Sequence, residues 1–114
     1  MDKSVTLKNP KTFIFLICFV ILSCTHKNTI NINEITKPVI DEYQIDKNHN
    51  YSAYFIKVNG QVDDTIMIND VLKLSGKIDT IFRTDYYGGG ESMILNYKPY
   101  LAKKGYLKIV HYAN

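Results

Sequence analysis

The sequence predicts a small all-β fold, an antiparallel sandwich of six or seven short strands behind an N-terminal signal helix and a flexible tether. Two observations carry the β reading. Tyrosine, isoleucine and valine are frequent beyond residue 38, where all nine tyrosines of the 114-residue chain lie. Period-two alternation recurs there, and turn-forming residues interrupt it at the spacing expected of a sandwich or barrel.

The elements follow in order. Residues 39–45 make a first strand, and the cluster DKNHN at 46–50 turns the chain. Residues 51–58 alternate, with Tyr51, Ala53, Phe55 and Lys57 on one face and Ser52, Tyr54, Ile56 and Val58 on the other. Asn59-Gly60 offers the two residues that accept the positive φ of a type I′ turn, so a hairpin is expected there. The return strand is 61–68, with Ile66 and Ile68 inward. Residues 69–74 read as a strand through Leu72 and Leu74. Asn69 or Asp70 could instead cap a helical turn, and an α+β domain with one short helix near 69–75 is the alternative. Ser75-Gly76 turns into a strand at 77–84, and the loop DYYGGGE at 85–91 leads to a strand at 92–98. Residues 99–105 connect to a last strand at 106–112, on which Leu107 and Ile109 face the core.

The N-terminal third has a different character. A polar lead with Lys3, Lys8 and Lys11 precedes ten apolar residues, Phe13 to Leu22, and then Ser23 and Cys24. Ten helical residues cover about 15 Å, half of a hydrocarbon core of about 30 Å. A charged lead, a short apolar run and a small residue are the parts of a secretory signal. The ending Ile21-Leu22-Ser23-Cys24 resembles the lipobox of bacterial lipoproteins, with Ile21 and Ser23 standing where Leu and Gly or Ala are commoner. That resemblance implies removal of residues 1–23 by cleavage between Ser23 and Cys24, and attachment of lipid to the Cys24 thiol. It implies a lipid-anchored protein of the bacterial cell envelope. Thr25 stands where an inner-membrane retention signal would have Asp, which favours the outer membrane. Residues 24–38 are then the lipidated cysteine and a polar, flexible tether, although the partial alternation of Ile30, Ile32 and Ile35 leaves a short strand conceivable there, and residues 39–114 are the domain.

Composition narrows the function. Without residues 1–23 the chain carries 11 basic and 10 acidic residues, a net +1, which gives no electrostatic reason to expect nucleic acid. Cys18 leaves with the signal and Cys24 carries lipid, so the domain has no thiol for a disulfide or a thiolate metal site. No cofactor beyond the covalent lipid is expected. Asp46-x-Asn48-x-Asn50 opens like a calcium loop, but Tyr51 and Lys57 stand where Gly and Glu are required, so ordinary turn chemistry is expected. Asp63 and Asp64 are neighbours on a strand and point to opposite faces, so they cannot share a substrate. His49 and His111 lack metal-ligand spacing. No catalytic residue is assigned and an enzyme is not expected.

The ligand candidates lie in the 85–91 loop. Asp85 and Glu91 offer acceptors, Tyr86 and Tyr87 offer flat amphipathic rings, and the three glycines let another backbone approach. The expectation is a non-catalytic envelope lipoprotein that binds a protein or glycan partner. The alternative is an inhibitor or immunity lipoprotein whose 85–91 loop blocks a hydrolase or toxin.

Overall fold

The computed structural model describes residues 26–46, 48–86 and 92–114. Ser23, Cys24, Tyr87 and Glu91 lie outside these residues, as does the whole expected signal. The described chain is all-β, with six strands in one antiparallel sheet that curls into a barrel-like sandwich. They are β1 (Asn28–Ile32), β2 (Val39–Tyr43), β3 (Ala53–Ile68), β4 (Leu72–Asp85), β5 (Met93–Lys98) and β6 (Gly105–Ala113). No helix is present among the described residues, which leaves the all-β reading and removes the α+β alternative.

β3 organises the rest. Its 16 residues pair with β4 along one edge. Along the other edge residues 54–62 pair with β6, and Met67 and Ile68 then pair with β5. β1 extends the sheet beyond β6, and β2 extends it beyond β5. The change of partner needs a bend, and a bulge supplies it: four steps from Val62 to Ile66 on β3 oppose two from Gly76 to Leu74 on β4. At the bend the β5–β6 connection wedges in. The Asp63 carboxylate accepts the Lys103 and Lys104 N–H groups at 2.9 and 3.0 Å, and the Leu101 N–H reaches the Thr65 carbonyl at 2.9 Å.

Two expected strand pairs are each one long strand, and the turns lie elsewhere. Asn59-Gly60 is not a hairpin. Gly60 continues β3 at φ 148°, paired with Leu107 of β6 so closely that a Cβ would overlap the Tyr106 carbonyl oxygen. The positive-φ capacity read as a turn serves a close backbone approach. Ser75-Gly76 likewise lies within β4. The actual hairpin is at Asn69 and Asp70, with φ 53° and 59°, closed by the Val71 N–H on the Ile68 carbonyl at 3.3 Å. Both residue types tolerate this region, so a type I′ geometry forms without glycine.

The expected tether is also corrected. β1 pairs with β6 through residues 28–32, and Ile32 and Ile35 are buried in the core. Burying an isoleucine is worth about 1.5–3 kcal/mol, enough to hold this polar-looking segment to the sheet. The Tyr97 hydroxyl reinforces it by donating to the Ile35 carbonyl at 2.8 Å. Inside, Val58, Ile66, Ile68, Leu95, Tyr97 and Ile109 have no exposed surface. Even-numbered residues of β3 and odd-numbered residues of β6 supply this core, the alternation a one-sided sheet requires.

Candidate functional site

Hydrogen-bond parity along β3 exposes a free edge. Ala53 and Asn114 exchange backbone bonds at 3.0 and 2.9 Å, and the Asp63 N–H reaches the Lys104 carbonyl, so odd residues of β3 face β6. Its even residues therefore face β4, consistent with the Tyr86 N–H bonded to the Ser52 carbonyl at 3.1 Å. Antiparallel pairing alternates. The even residues of β4 thus bond to β3, and the odd ones, Lys77, Asp79, Ile81 and Arg83, aim N–H and C=O away from the sheet. β4 has no other ladder partner among the described residues. Gly76, at φ 72°, interrupts the edge on its N-terminal side.

Two of these odd residues, Asp79 and Ile81, line a groove of about 490 Å³ on the outer sheet face. One ladder row crosses four strands beneath it, Thr29, Val110, Lys57 and Ile81. Lys27, Asp79, Thr80 and Tyr112 complete the lining. Tyr112 stacks on Phe55 at 5.1 Å, and the Lys27 ammonium lies 4.6 Å from its ring centroid. Ile81 is 53% exposed, a large apolar side chain without cover. An unpaired edge beside an apolar groove with two lysines can accept an extended peptide. Main-chain bonds would hold it, and the groove would select its apolar or acidic side chains.

Of the residues predicted from the 85–91 loop, Asp85 and Tyr86 are among the described residues. Asp85 is ion-paired with Arg83 at 2.7 Å, both about half exposed. Tyr86 packs edge-on against Tyr51 at 5.8 Å, and Tyr51 against His49 at 4.7 Å. The structure therefore joins Tyr86 to an aromatic cluster at one end of the sandwich. Asp46 and Asn48 form a local turn, with the Asn48 N–H on the Asp46 carboxylate at 3.0 Å. Asp63 and Asp64 serve different groups, Asp64 accepting the N–H of Thr65.

Sequence reasoning missed a buried polar chain. His111 is fully buried. Its Nδ1 accepts from the Tyr54 hydroxyl at 2.7 Å, and its Nε2–H donates to Asp41 Oδ2 at 2.7 Å. This tautomer follows from the partners, a neutral phenol on one side and a carboxylate on the other. Burial, and then the nearby Asp41 charge, push the Tyr54 pKa well above its ordinary value of 10.0, so the hydroxyl keeps its proton and donates. Asn28 Nδ2 adds bonds to Asp41 Oδ2 at 3.0 Å and to the Glu42 carbonyl at 2.9 Å. The four side chains fasten β1, β2, β3 and β6 together. Tyr54 is only 3% exposed, so its oxygen meets the protein interior and not a substrate. The signal was present: His111 shares the parity of Leu107 and Ile109, and Asp41 that of Val39 and Tyr43.

No group of three or more potential metal ligands occurs among the described residues. No protein-family model, curated protein or solved structure matches this chain.

Proposed function

We propose that this chain is a lipid-anchored protein of the bacterial cell envelope, on the outer membrane, whose β-domain is a non-catalytic module that binds a partner protein. Lipid attachment at Cys24 rests on the lipobox-like Ile21-Leu22-Ser23-Cys24 after a short apolar run. The partner contributes an extended segment that adds to β4 along residues 77–83. The observation that carries this reading is the outward-facing backbone of Lys77, Asp79, Ile81 and Arg83 beside the groove. Lys77 and Arg83 flank the stretch and discourage a second copy of this chain from pairing edge to edge, leaving a partner of complementary charge favoured.

Proline at an outward-facing edge position deletes a free N–H without removing a ladder bond. Ile81→Pro should therefore keep the fold, checked by circular dichroism and thermal unfolding. A partner recovered from envelope extract on the wild-type domain should be lost on the folded Ile81→Pro domain. Equal recovery on both would reject strand addition at β4. Separately, Cys24→Ser should abolish incorporation of labelled palmitate; undiminished labelling would reject the anchor.

A further inference from the structure

The fold takes hold of the chain at once after the expected anchor. The His26 carbonyl accepts the Tyr43 hydroxyl at 2.8 Å, and the His26 ring stacks on Tyr43 at 5.8 Å. Asn28 is fixed by Asp41 and the Glu42 carbonyl. Only two residue steps separate His26 from Cys24, and two extended residues reach about 7 Å. A lipid on Cys24 would therefore hold this end of the sandwich against the bilayer, without room for an intervening layer of another protein.

The register shows what that end presents. Asn28 is level with His111 and Ile56, so Lys27 and His26 continue toward the strand ends at Ala113, Ala53 and Asp85. Beyond those ends lie Tyr51 and Tyr86, packed edge-on. Lys27 is exposed beside Tyr112. Tyrosine and lysine suit the head-group layer, because each combines an apolar body with a polar tip. Among the described residues, the charges toward this end are Lys27, His26, His49, Asp46, Glu42 and the Arg83–Asp85 pair. They leave it mixed in sign, two basic and three acidic groups besides the two histidines, with Lys27 the cation nearest the anchor.

We propose that this end, with Tyr51, Tyr86 and Lys27 foremost, docks directly on the phospholipid head groups of the membrane that holds the anchor. The proposal rests on lipid attachment at Cys24. It fixes the orientation of the domain: the hairpin at Asn69 and Asp70 points away from the bilayer, and β4 rises from the surface with its edge open to a partner.

The domain contains no cysteine, so single spin labels can be placed cleanly. The processed, lipidated protein carrying Asn114→Cys or Val71→Cys would be reconstituted in vesicles of phosphatidylethanolamine and phosphatidylglycerol. A nickel chelate on the lipid head groups then reports proximity. Relaxation enhancement several-fold stronger at position 114 than at 71 is expected. That difference should shrink in a Tyr51→Ser, Tyr86→Ser background. Equal enhancement at the two positions, with palmitate incorporation intact, would overturn the docking while sparing the anchor. Absence of palmitate from the wild-type chain would overturn both.

Discussion

His111 Nε2 lies 2.7 Å from Asp41 Oδ2, and this contact joins β6 to β2, two strands that share no ladder. It closes the curl of the sheet where backbone bonding does not. Asp41→Ala would leave a fully buried N–H without its acceptor, a loss of about 1–3 kcal/mol. Tyr54→Phe would leave Nδ1 in the same position at the other side of the ring. Urea midpoints should fall for both. In a double-mutant cycle, Asp41→Ala with His111→Leu should show a coupling of about 0.5–3 kcal/mol. Strict additivity would mean that the contact contributes nothing.

Gly60 and Gly76 both have positive φ, yet they should respond differently to alanine. At Gly60 a Cβ would overlap the Tyr106 carbonyl oxygen and sit 2.9 Å from the Leu107 Cα, both backbone atoms that cannot rotate away. At Gly76 nothing lies within 4 Å. Gly76→Ala therefore meets only the left-handed backbone penalty of about 1–2 kcal/mol. Gly60→Ala adds a backbone clash and should cost about 3 kcal/mol or more, or prevent folding. Equal losses of thermal stability for the two variants would contradict the close approach of β3 and β6 at Gly60.

These two glycines also show why the sequence disclosed the class of fold but not its turns. Alternation across 51–58 and 106–112 is a local property: it put Tyr54, Ile56 and Val58 on one face, which the fold buries, and it correctly placed Leu107 and Ile109 toward the core. Positive-φ capacity is ambiguous, because a hairpin and a close approach of two paired strands both use it. Asn59-Gly60 therefore reads as a turn until β6 is seen paired beside it. β1 was only half legible for a related reason: Ile30, Ile32 and Ile35 alternate in part, but only pairing with β6 gives Ile32 a core to enter. The free edge of β4 has no local signature at all. Which strand is left unpaired is decided by topology, whereas the Tyr54–His111–Asp41 chain was within reach of the same parity that found Leu107 and Ile109.

Asp63 should give the molecule part of its acid sensitivity. Its carboxylate accepts the Lys103 and Lys104 N–H groups, which hold its pKa below the ordinary 3.8. A depressed folded pKa stabilises above the unfolded value and loses that contribution as pH falls through the folded one. The stability gap between wild type and Asp63→Asn should therefore be full at neutral pH and close below pH of about 4. Urea midpoints at pH 7 and at strongly acid pH measure it. A gap that stays constant across that range would show that the charge plays no part in holding the 99–104 connection.

Tyr97 controls the opposite limb. It is fully buried and donates to the Ile35 carbonyl, and burial pushes its pKa up to about 12 from 10.0. Raising the folded pKa of an acid stabilises fully below the unfolded value, here 10.0, and the contribution is lost as pH climbs through the folded one. The wild-type domain should therefore weaken steeply between pH 10 and about 12. Tyr97→Phe removes that dependence, because phenylalanine cannot ionise in either state. At pH 7 the same substitution leaves the Ile35 carbonyl without its donor beneath a closed core, a loss of about 1–3 kcal/mol. The variant should thus start less stable at neutral pH and decline more gently in alkali, so that the two stability curves converge. Parallel alkaline curves would show that Tyr97 ionises as readily folded as unfolded, and that the segment carrying Ile35 is not held closed over it.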